Sequence, residues 1–269
     1  MQQLSDDDII QATCAVLVDS KVKGAAWLVS DEGHLLTAGH LLGTEKPRET
    51  VEVRFPEDIP LTAHKILWGY QRDMGIDFAV LKLANPPANR YPLPISLARS
   101  VTGTFRLCGY GQSLVDLSIG RGEFLGFYDR QNSPANRLFK LDSKQLGQGG
   151  YSGGAVVSDE LQVVVAVQIA ATGNETGAER DTVLAMPLYR IAKHWELLNP
   201  RAEQLEKKYH KPKKQASSSG VQIGNVSGGI TNSIIAGGDV SDVTIPERKD
   251  KKRRAKRKEV AENDDKQNS

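Results

Sequence analysis

Three short stretches of this 269-residue chain each present one reactive side chain. Thr37-Ala38-Gly39-His40 places an imidazole after the apolar run Ala25 to Val29 and its turn. Gly75-Ile76-Asp77-Phe78-Ala79-Val80-Leu81-Lys82-Leu83 sets a carboxylate at the start of an otherwise apolar strand. Gly147 to Ala155, reading GQGGYSGGA, puts Ser152 among five glycines. Singly, each has an ordinary structural reading: a histidine beside a strand, an aspartate capping a turn, a glycine-rich turn or phosphate nest. Their combination points to acyl transfer. A serine hydroxyl is a weak nucleophile at neutral pH and needs an imidazole to take its proton, while a carboxylate holds the imidazole in the right tautomer. Asp73 competes with Asp77 for that last place, but its neighbours Arg72 and Met74 read as an exposed loop. Glycines around the serine let backbone N–H groups converge on one point and let a substrate carbonyl approach.

The elements that must carry these groups read as β-strands. From Thr13 to Leu188 short β-branched runs alternate with turn residues, among them Cys14 to Val18, Gly24 to Ser30, Val51 to Phe55, Phe78 to Leu83, Thr104 to Cys108 and Val163 to Ala171. Strands at this spacing predict a sandwich or a barrel. Asn85 to Pro94, NPPANRYPLP, divides the region into similar halves and reads as a linker between two β modules. Leu188, Ile191, Trp195 and Leu198 then fall at helical spacing, with Asn199-Pro200 expected to end the helix.

The order His, Asp, then Gly-x-Ser-Gly-Gly across two β modules resembles the chymotrypsin-type, or trypsin-like, serine proteases. Their signatures are Ala-His after a strand, Asp-hydrophobic-Ala in the middle and Gly-Asp-Ser-Gly-Gly-Pro near the end. The resemblance covers about Thr13 to Leu198. It implies an all-β fold, a double six-stranded β-barrel with a C-terminal helix, followed here by a flexible tail. It also implies that Ser152 is the nucleophile, His40 the base and Asp77 the orienting acid, with the amides of Gly150 and Ser152 as the oxyanion hole and Gly149 shaping the turn. Protein substrate is implied, and no cofactor or metal. Two departures matter. Tyr151 stands where secreted members carry an aspartate that pairs with a newly cleaved N-terminus, so activation of that kind is not expected. Leu146 stands where trypsins carry the pocket aspartate, so small or medium apolar residues are expected before the scissile bond rather than Lys or Arg, unless Asp181 reaches the pocket. The strand Gln168-Ile169-Ala170-Ala171 would form the pocket wall and pair with substrate backbone, with the small residues where the pocket opens.

Composition bounds the rest. At 39% apolar and 25% charged the chain is globular rather than collagen-like or wholly disordered. Two cysteines, Cys14 and Cys108, lie singly in apolar runs, which argues for buried thiols and against a disulfide framework or a cysteine-ligated metal. No run approaches a membrane span, and Met1 to Asp8 is acidic where a secretory signal is basic and then apolar, so a cytoplasmic location is expected. Residues 1–200, read as the protease domain, carry 19 Lys and Arg against 23 Asp and Glu; the remaining 69 carry 16 against 10. A basic, Ser-rich linker over 201–219 leads to Gly220–Ile245, where 11 of 26 residues are Val, Ile or Thr and 6 are Gly. Such a segment can stack in register with copies of itself. Its Val221-Gln222-Ile223-Gly224-Asn225 resembles RHIM-like amyloid-signalling motifs, which implies a homotypic or sensor-protein partner. Nine bases between Arg248 and Lys258 offer weak polyanion binding, with no interleaved aromatic for base stacking, inside a polar 246–269 tail. The expected function is an intracellular serine endopeptidase recruited through its tail, a bacterial stress or defence effector by analogy; the alternative is an inactive protease fold acting as a scaffold.

Overall fold

Local chemistry sets the first elements. Ser5 caps α1 (Asp6–Ala12) by accepting the Asp8 N–H, while the Asp8 carboxylate accepts the Ser5 N–H at 2.9 Å, a reciprocal capping box. Asp19 and Ser20, at φ 52° and 59°, make the two-residue hairpin that joins β1 (Thr13–Val18) to β2 (Lys21–Leu28). The computed structural model describes residues 3–110, 116–142, 150–172, 182–200 and 202. The readings made for Leu146, Gly149, Asp181 and everything beyond 202 lie outside these residues.

Twelve strands form two closed barrels. The first half adds β3 (His34–Thr37), β4 (Thr50–Arg54), β5 (Leu61–Gln71) and β6 (Ile76–Leu83); the second holds β7 (Thr104–Tyr110), β8 (Leu117–Asp129), β9 (Arg137–Asp142), β10 (Ala155–Ser158), β11 (Val163–Thr172) and β12 (Thr182–Pro187). The first barrel closes as β1-β2-β3-β6-β5-β4 and the second in the equivalent order β7-β8-β9-β12-β11-β10, each neighbouring pair antiparallel. Closure removes the free edges that an open sheet would present. Burial follows from this geometry. β4 alternates buried and exposed because one face fills the barrel and the other meets water, whereas β6 is buried on nearly every residue. The largest apolar cluster explains β6: it joins Phe78, Val80 and Leu81 to Val164, Val167, Leu184 and Met186 of the second barrel, so the core continues through the seam. Cys14 and Cys108 are both free and buried, and burial pushes the Cys108 thiol up to about 12.

The Pro-rich connection between the barrels is bonded to both of them. Leu93 N–H donates to Leu28 C=O, Val164 N–H to Pro94 C=O and Ser96 N–H to Val164 C=O, so the segment bonds to both barrels within four residues. Leu93 and Ile95 are 2% and 1% exposed. The end of the domain departs from expectation. α2 (Leu188–Ile191) spans one turn, and a separate helical stretch starts at 198, so Asn199-Pro200 opens a helix instead of closing one. Proline is tolerated in a first turn because its missing N–H has no acceptor there. Leu188, Ile191, Trp195 and Leu198 are nevertheless all buried, as their spacing predicts. At the other terminus Arg106 bonds Leu4 C=O, Asp6 and Asp159, tying the N-terminal segment to the second barrel. The cleft of about 510 Å³ there is lined by these mutually paired groups and reads as packing of the N-terminus.

Candidate active site

His40 is placed by the turn that follows β3. Thr37 Oγ1 donates to Ala25 C=O at 2.6 Å, and the chain then enters a single 3-10 turn, Gly39–Leu41. Trp68 Nε1–H of β5 donates to Gly39 C=O at 3.0 Å and holds that turn from the side. Asp77, second residue of β6 and 7% exposed, grips His40 at two points. Its Oδ1 accepts the His40 backbone N–H at 2.9 Å, and its Oδ2 accepts the ring Nδ1–H at 2.7 Å. The Asp77 N–H in turn donates to Met186 Sδ of β12 at 3.5 Å. A ring that gives its Nδ1 proton to a carboxylate keeps a lone pair on Nε2, the state a general base requires. Asp73 lies exposed in the 3-10 turn Arg72–Met74.

Ser152 is held at the seam by its backbone. Its C=O accepts the Ala25 N–H of the first barrel at 2.8 Å, while Gly150 C=O accepts the Tyr110 N–H at the end of β7 at 3.1 Å. Gln168 of β11 clamps the following turn from both sides, accepting the Gly153 N–H at 2.8 Å and donating to Gly154 C=O at 3.0 Å. Gly153 has φ +87°, and a Cβ there would lie 2.0 Å from Ala25 O, 2.3 Å from Thr37 Oγ1 and 3.1 Å from Ala38 N. The serine loop is therefore packed directly on the chain that leads into His40. Gly153→Ala must strain the backbone and push the barrels apart; we expect a loss of about 3 kcal/mol or more in denaturant unfolding, together with loss of Ser152 reactivity. Unchanged stability would mean that the two segments do not meet this closely.

Tyr151, the residue in place of the aspartate, is buried, and its phenol shares a 2.7 Å hydrogen bond with Ser118 Oγ on β8. A neutral pair thus ties the serine loop to the barrel wall. Gly150 sits at φ +89°, and among the described residues neither its N–H nor that of Ser152 has an acceptor. Of the expected pocket wall, Ile169 is buried in the inter-barrel core, Ala170 is half-buried, and Ala171 pairs with Val183 of β12. Past Gln168, the described residues of β11 pair only with β12, which leaves their other edge open. Trp68 and Met186 were not legible as site residues. Each acts through a bond to a residue 29 or 109 positions away, for which local pattern carries no signal.

Two six-stranded antiparallel barrels of equivalent order, with a histidine–carboxylate pair on one and a glycine-rich serine loop from the other bonded across the seam, define the chymotrypsin-like serine protease fold. Residues 24–167 match the Trypsin-like peptidase domain, and the chain belongs to that family. Among solved structures, it is similar to the inactive form of the protease Rv3671c from M. tuberculosis, at 15% identity and TM-score 0.55 over 72% of this chain and 89% of that one. It is also similar to the HtrA-type protease AlgW with a tripeptide, at 20% identity and TM-score 0.55 over 73% of this chain and 62% of that one. No curated protein sequence matches. Among the described residues no helix is long and apolar enough to cross a membrane.

Proposed function

We propose that the protein is a serine endopeptidase, with Ser152 as nucleophile, His40 as general base and acid, and Asp77 as the group that orients and stabilises the imidazolium. The observation that carries this reading is the two-point grip of Asp77 on His40 beside a serine loop whose own backbone is bonded to the same barrel. In the first step Ser152 Oγ adds to the scissile carbonyl as its proton passes to His40 Nε2. The oxyanion that forms is met by the unpaired N–H groups of Gly150 and Ser152. Collapse breaks the C–N bond, His40 returns the proton to the leaving amine, and water then repeats the sequence on the acyl-enzyme. The open edge of β11 suits an extended substrate backbone, which would add as one more strand. A fluorophosphonate is expected to modify one serine of the purified protein, Ser152, with intact-mass and peptide analysis reading the adduct. Modification elsewhere, or none, would refute the assignment.

The substrate in this reading is a protein met inside the cell, cleaved after uncharged rather than basic residues, in a stress or defence setting. Residues 1–200 form the protease domain and 220–245 an interaction element. Support for the latter is that, among the described residues, both barrels close with strands that end by Pro187. Truncation near Ser217 should leave the melting temperature and Ser152 labelling of the monomer nearly unchanged and abolish self-association or partner recruitment. Ile234→Lys should act likewise, because in-register stacking repeats the charge every ~4.8 Å. Unfolding of the truncated chain would instead assign the segment to the barrel core. The run at 248–258 suits weak, salt-sensitive attachment to a polyanion.

A further inference from the structure

We propose that Gln168 sets the preference for the residue before the scissile bond, selecting an uncharged side chain that can hydrogen-bond, a carboxamide or a hydroxyl. The inference rests on the serine-protease reading above and names its substrate class.

Gln168 is 3% exposed, yet its side-chain Oε1 has no hydrogen-bond partner among the described residues. Buried carboxamides are rarely left so, because an unsatisfied polar group forfeits its hydration without return. Its position gives the orphan a use. Both backbone groups of Gln168 are engaged by Gly153 and Gly154, which places the residue on the strand immediately behind the nucleophile turn. Side chains alternate along a strand. Val167 faces the core shared by the two barrels, so Gln168 projects the opposite way, the side taken by Ala166 and by its cross-strand partner Ala185. That side is the interior of the second barrel, shared with Tyr151, the residue next to the nucleophile. A register shift between Gln168 and Ala170 then bends β11 just where its open edge begins.

The chemistry of the visitor follows from what is present. A carboxamide offers one acceptor and two N–H donors, so it pairs with another amide or a hydroxyl and meets neither half of a full charge well. Buried charged side chains among the described residues are Asp77, Arg90, Arg106 and Arg190. Each is engaged elsewhere, with His40, Asp58, Asp159 and the carbonyls of Met74 and Gly75 respectively. An aliphatic side chain would leave the orphan unpaired in a pocket now closed to water, and that difference discriminates between isosteres.

Peptidyl phosphonates identical except for the residue before the reactive centre test this on the full-length protein, with Ser152 adduct formation read by intact mass. Thr is compared with Val, and Gln with Met, so that size is held constant. The wild-type protein should react with the Thr and Gln probes roughly 10- to 100-fold faster than with their isosteres. In Gln168→Met the ratio should fall to about one, and the melting temperature should not drop, since an unsatisfied group has been removed. Equal or faster reaction of wild type with Val and Met overturns the proposal. So does a preference that survives Gln168→Met, or absence of reaction with all four probes while a simple fluorophosphonate still labels Ser152. Failure of the simple fluorophosphonate would instead reject the protease reading beneath it.

Discussion

Asp77→Asn should lower kcat by about 10⁴-fold while the protein stays folded. The amide can still offer its oxygen to the His40 backbone N–H, so the turn keeps one of its two bonds. At the ring, however, an amide N–H meets Nδ1 where a carboxylate oxygen accepted, at 2.7 Å in the native pair. The imidazole then holds its proton on Nε2 and can no longer take one from Ser152. The imidazolium formed during acylation also loses its counter-charge, so both the starting state and the transition state are affected. Acylation measured in a single turnover against a peptide ester or phosphonate reads this step directly. Retention of activity within tenfold would mean that the Asp77–His40 pair is structural only, and the catalytic assignment would fail with it.

Ser152→Ala and His40→Ala should each lower kcat by about 10⁶-fold, and the double variant should be no worse than either alone. Groups that act as one unit lose their whole contribution when the first member goes. What remains, about 10³-fold over water, is the share of the unpaired N–H groups and of substrate binding. The measurement is kcat for all three variants on one substrate, with folding checked by near-ultraviolet circular dichroism. Multiplicative losses in the double variant would show that the two residues act independently and would refute the shared mechanism.

Much of this site was legible locally because its parts are local. A strand buried on both faces with one carboxylate at its start singles out Asp77, and the neighbours Arg72 and Met74 mark Asp73 as part of an exposed loop; the structure buries the one and exposes the other. β-Branched runs between turn residues located β1, β2, β4, β6, β7 and β11. Composition marked Asn85 to Pro94 as the connection between the two β modules, but not that Leu93 and Pro94 bond it to a strand of each barrel. Likewise Asn199-Pro200 fits a helix start as well as a stop, and only the chain's path past Leu198 decides between them.

By itself the sequence determined the β character of the elements and the burial of Leu188, Ile191, Trp195 and Leu198, since each depends on residue type and spacing within a few positions. Tertiary structure alone decided which strands close which barrel, that Ser152 is bonded to Ala25, that Met186 stands behind Asp77 and that Gln168 is left with an unpaired oxygen. The physical reason is that hydrophobic burial has no direction: alternation tells which face of a strand is buried but not against what. Hydrogen bonds supply the missing direction, and those of this site join residues far apart in the chain, so they exist only once the registers of both barrels are set.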